Sequence, residues 1–118
     1  MINLNLNIRN ISNMIREFNE RENEIESAND YESAKPIAKE FCNNIRGMIY
    51  LMENFSEETS EYSELLSELY NEIANVYQSM IRVLLKPNDG NVTNETEEKF
   101  TALAKERDDY REIARSCK

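Results

Sequence analysis

The chain has 118 residues, the length of one domain, with 23 acidic and 14 basic side chains and a formal net charge of −9. Such a field repels nucleic acid and anionic membrane surfaces and attracts basic partners, so direct nucleic-acid binding is not expected. There is no histidine, glycine and proline occur twice each, and 40% of the residues are hydrophobic, which favours a helical domain with a core over a disordered acidic tail.

The pattern over residues 2–8 alternates, with Ile2, Leu4, Leu6 and Ile8 separated by asparagines, which is a strand signal. A longer helical pattern overlaps it: Leu4, Ile8, Ile11, Ile15, Phe18 and Ile25 keep a four-three spacing broken only by Glu22. The longer pattern predicts a first helix over about 5–28 with an extended start, and Glu17 and Arg21 form a favourable four-apart pair on its outer face. The first ten residues lack the apolar stretch of a secretory signal, and no run approaches the ~18 apolar residues of a membrane span.

Asn29, Asp30 and Ser33 are all potential caps, and Pro36 fits the first turn of a helix better than a deeper position. A second helix is therefore placed at about 34–54, starting near Ser33 and presenting Ile37, Phe41, Ile45, Met48, Met52 and Phe55. Gly47 within it predicts close approach of a neighbouring helix. Met14, Met48, Met52 and Met80 read as core filler.

The strongest periodicity follows. Tyr62, Leu66, Leu69, Ile73, Val76, Met80 and Val83 alternate steps of four and three, predicting a helix over about 57–86 that ends at Pro87-Asn88-Asp89-Gly90. Leu65, Tyr70, Ile81 and Leu84 widen its apolar face, with Tyr77 nearby; Tyr50, Tyr70 and Tyr77 suit either core edges or, where exposed, anchors of a protein interface. The last helix, about 94–116, is capped by Thr93 or Asn94 and has a thin apolar face of Phe100, Leu103, Tyr110, Ala114 and Cys117. The expected fold is all-α: one domain over 1–118, an antiparallel four-helix bundle in which the second and third helices form the central hairpin.

Two charged rows are candidate sites. From Glu53 to Glu72 there are seven glutamates and no basic residue, and Glu57, Glu61, Glu64, Glu68 and Glu72 recur at helical spacing as a stripe opposite the apolar face. Carboxylates so placed suit docking to the lysines and arginines of a basic partner. Arg107, Arg111 and Arg115, with Lys118, form a row on the last helix, suited to an anion, an acidic partner or the acidic stripe itself.

Catalytic equipment is sparse. The commonest general base and zinc ligand is missing, the two glycines make no phosphate loop, and Cys42 and Cys117 stand far apart. Neither cofactor nor metal is expected, and unpaired cysteines suit a reducing, cytoplasmic setting. Glu57-Glu58-Thr59-Ser60-Glu61 resembles the EExxE element of the all-α MazG-type nucleotide pyrophosphohydrolases. Glu72-Ile73-Ala74-Asn75 is similar to their later ExxD element, with Asn75 where the family has Asp and a shorter gap between the two. That resemblance, over about 20 residues, implies magnesium held by carboxylates as one alternative. The expectation carried forward is a non-catalytic protein-interaction module, an acidic inhibitor or immunity-type protein occluding a basic surface. The other alternative is a coiled-coil-like oligomeric assembly or adaptor, with a homodimer as its simplest form.

Overall fold

The structure, a computed structural model, describes residues 8–55, 60–86 and 93–117, and leaves the side chains of residues 8–10, 55, 60 and 61 undescribed. Four helices follow one another: α1 (Ile8–Glu26), α2 (Tyr31–Phe55), α3 (Ser60–Leu85) and α4 (Asn94–Ser116). The expected extended start at residues 2–7 lies outside the described residues.

The helix starts follow side-chain capping. Asp30 accepts a hydrogen bond from the Ser33 backbone N–H at 2.7 Å, and its carbonyl accepts from Ala34, so α2 begins at Tyr31 rather than near Ser33. Pro36 thereby falls inside the helix, on its exposed side. The cap and the extra turn outweigh the backbone bond that proline cannot donate. Thr93 caps α4 as expected, its hydroxyl accepting from the Thr96 N–H.

Register contacts fix the directions. Glu22 and Glu26 of α1 lie beside Glu72 and Arg82 of α3, so these two helices run parallel. Glu53 meets Tyr70, while Tyr77 lies within reach of Arg46, so α2 runs against α3. Ser67 bonds to Ala114 and Gln78 to Arg107, so α4 also runs against α3. The bundle is antiparallel, but it is not a ring of successive neighbours. Helix α3 packs against all three others, while α1 and α4 make no close backbone approach to each other. The hub is therefore α3 alone, rather than the α2–α3 hairpin.

One core joins α1, α2 and α3, with Ile25, Ile45, Met52, Leu69 and Ile73 fully enclosed. Phe18 meets Phe41 edge-on at 6.1 Å between centroids. The α3–α4 seam combines the small buried residues Ser67 and Ala114 with Tyr110 of α4 stacked on Tyr70 and Tyr77 of α3. Ser67 Oγ donates to the Ala114 carbonyl at 2.8 Å across it. The small pair lets the two helices approach closely, and Leu103 and Tyr110 add the apolar contact of α4 with the core.

Several sequence expectations are corrected here. Gly47 is exposed, and a Cβ built there would meet nothing within 4 Å, so no helix approaches it. Met14 is exposed, whereas Met48, Met52 and Met80 are core. Arg21 turns toward Glu24 at 3.1 Å and over the Phe41 ring at 4.9 Å, instead of pairing with Glu17.

Candidate functional site

The acidic row of α3 divides in the structure. Glu57 lies outside the described residues, as does the side chain of Glu61. Glu64 and Glu68 are exposed, with no ion pair to either among the described residues. Glu72 is 2% exposed and faces inward. At 3.6 residues per turn each step of four overshoots by about 40°, so the two steps from Glu64 to Glu72 turn the row by ~80°. They bring Glu72 two turns beyond buried Leu65, on the side covered by α1.

Its neighbour there is Glu22, the residue that interrupts the apolar pattern of α1. One Oε1 on each carboxyl is buried without a hydrogen-bond partner, and the other oxygen of Glu72 accepts from the Asn75 side-chain amide at 3.4 Å. Burial, first, and the hydrogen bond and charge of Glu22, second, push the Glu72 carboxyl far above its ordinary range; Asn75 opposes the shift weakly. A proton kept on Glu72 supplies a donor beside Glu22, where a second negative charge would have no compensating cation. The residues resembling the ExxD element are thus engaged with one another and with α1.

The basic row of α4 stays largely on its own helix. Arg115 pairs with Glu112 at 2.7 Å, and Arg107 pairs with Asp108 at 3.0 Å while donating to the Gln78 Oε1 on α3 at 2.7 Å. The Arg107 hydrogen bond, with smaller contributions from the charges of Arg107, exposed Arg111 and Arg115, keeps the Asp108 carboxyl below its usual value. None of the three reaches Glu64 or Glu68.

A third feature escaped the sequence reading. Between α2, α3 and α4 lies a groove of about 290 Å³ with Val76, Met80 and Leu103 among its apolar walls and Lys35, Lys39 and Arg46 at its edge. Its wall contains no carboxylate. Arg46 donates to the Tyr110 hydroxyl at 2.9 Å, and Tyr110 stacks against Tyr77 at 5.8 Å and Tyr70 at 6.4 Å. Cys42, also in the wall, has its thiol pushed up to about 11 by burial, which leaves it a protonated, unreactive group at neutral pH. The signal in the sequence was the row Lys35, Lys39, Cys42 and Arg46, spaced four, three and four along one face of α2.

Among the described residues no group of three or more cysteine, aspartate or glutamate side chains is placed to hold a metal ion, and no helix is long and apolar enough to cross a membrane. No family model, no curated protein and no solved structure matches this chain.

Proposed function

We propose that the chain is a non-catalytic interaction module that docks its acidic α3 face onto a basic surface of a protein partner, in the manner of a small inhibitor or immunity-type protein. The observation that carries this reading is the pair Glu64 and Glu68, exposed one turn apart on the helix that holds the bundle together, with no ion pair to either among the described residues. A rigid hub presents these carboxylates without the ordering cost a mobile segment would incur. The net charge of −9 adds long-range attraction toward a basic target, which raises association rate more than affinity. Two free cysteines, one of them buried, suit a reducing cytoplasm.

The test compares tagged wild-type chain with the double variant Glu64→Lys and Glu68→Lys in capture from host extract. A second double variant, Glu20→Lys with Glu106→Lys, changes net charge equally on α1 and α4. A partner held by wild type and by the control, but lost from the α3 variant, supports the reading. Equal retention by all three defeats it, and equal loss from both variants reduces it to bulk charge. Light scattering on the same samples detects self-association, the outcome that assigns the face to a second copy of the chain.

A further inference from the structure

We propose that the groove between α2, α3 and α4 binds a small amphipathic organic anion, an apolar body carrying a carboxylate head. The site is separate from the acidic docking face and opposite to it in charge.

Seven cations pair with carboxylates among the described residues, while Arg16, Lys39, Arg46, Lys86 and Arg111 form no ion pair there. The Arg46 guanidinium is held by the phenol of Tyr110, with Tyr77 also in reach, and no carboxylate pairs with it among the described residues. Those neutral partners orient the guanidinium while leaving its charge uncompensated. Lys39, one helical turn before Cys42, is exposed and also lacks an ion pair among the described residues. Lys35 has a loose one, to Glu32 at 3.7 Å between largely exposed groups, which contributes little.

Val76, Met80 and Leu103 supply an apolar surface directly beside those cations, and the groove's volume of about 290 Å³ sits at the lower limit of ligand pockets, ~300 Å³. That size suits a single short chain or ring. A guanidinium takes a carboxylate in a two-pronged hydrogen bond, and a lysine ammonium adds a point charge to the same head. The apolar body then lies over Val76 and Met80, where burial rewards each methylene. Neither part alone fits the groove well: an alcohol leaves Arg46 and Lys39 unmatched, and a bare anion leaves the half-buried Leu103 uncovered.

The experiment is a titration of the full chain with octanoate, octanol and acetate, followed by backbone amide shifts in nuclear magnetic resonance. Octanoate is expected to saturate one site, moving amides near Cys42, Met80 and Leu103, with octanol and acetate about tenfold weaker. Arg46→Gln is expected to weaken octanoate about tenfold, the loss of a charged hydrogen-bond partner. Lys39→Gln alters an exposed side chain outside the core and is expected to weaken it severalfold; it carries the test if circular dichroism shows that Arg46→Gln has lost helix. Three results overturn the proposal: no saturable shift with octanoate, octanol binding as well as octanoate, or a folded Lys39→Gln and Arg46→Gln that bind it like wild type. Shifts induced only by an acidic peptide would assign the groove to a protein partner instead, and would equally overturn it.

Discussion

The carboxyl groups of Glu22 and Glu72 face each other in the seam between α1 and α3, each with one buried oxygen that no hydrogen-bond donor reaches. Two acids in such a place are held together by a proton and driven apart by its loss.

That relationship makes stability depend on pH in a stated direction. The folded-state affinity of Glu72 for its proton is raised above the ordinary value of 4.5 by burial and by Glu22. The folded chain therefore binds more protons than the unfolded one above that pH, and stability declines as pH rises. The contribution is complete below about 4.5 and is lost as pH climbs through the raised value into the alkaline range. Thermal melts at about pH 5 and about pH 9 are expected to show a drop in Tm that Glu72→Gln reduces, because an amide keeps a donor at every pH. Parallel pH profiles for the two proteins would contradict a raised proton affinity at Glu72.

Asp30 acts at the opposite end of the scale. Its carboxyl is kept below the ordinary value of 3.8 by the Ser33 backbone N–H and then by the Ser33 side chain. Its capping contribution is present above that value and is lost as pH falls through the lowered one. Asp30→Ala is expected to lower Tm at neutral pH and to fray the first turn of α2, where Pro36 already removes a bond. Amide exchange at Ser33 and Ala34 is the direct measurement, and unchanged exchange there would show that the cap is idle.

Gly47 offers a gain. It lies mid-helix in α2, exposed, with open space where a methyl group would go. Gly47→Ala is expected to stabilise the fold by about 1 kcal/mol, since alanine restricts the unfolded chain and costs nothing in packing. Urea unfolding should show a higher midpoint with an unchanged slope. A destabilised variant would mean that another surface rests on that position.

The hold on α4 is testable through one hydroxyl. Ser67 is 1% exposed and donates to Ala114, itself the one buried residue of α4. The Ala114 carbonyl keeps a second donor in the Cys117 N–H, so Ser67→Ala is expected to cost about 1 kcal/mol rather than the larger penalty of a fully orphaned group. Amide exchange should quicken in α4 before it does in α1 and α2. Uniform quickening would mean that α4 does not open separately from the rest of the bundle.

The number, order and approximate ends of the helices were legible in the sequence, because four-three apolar spacing and capping residues are local properties of the chain. The heptad-like row of α3 specified a helix buried along its length, and Thr93 specified where α4 starts. Even the interruption of the α1 pattern at Glu22 was visible as a defect without an explanation.

What faces that defect was decided by tertiary structure. Spacing along one helix cannot fix which side a neighbour will cover, so Glu72 joined the exposed stripe on paper and a buried carboxyl pair in the fold. The same reason hid the basic groove, since Lys35, Lys39 and Arg46 acquire a common floor only when Met80 of α3 and Leu103 of α4 arrive beside them. Periodicity is set by the backbone of one helix. The company that each side chain keeps is set by the packing of several.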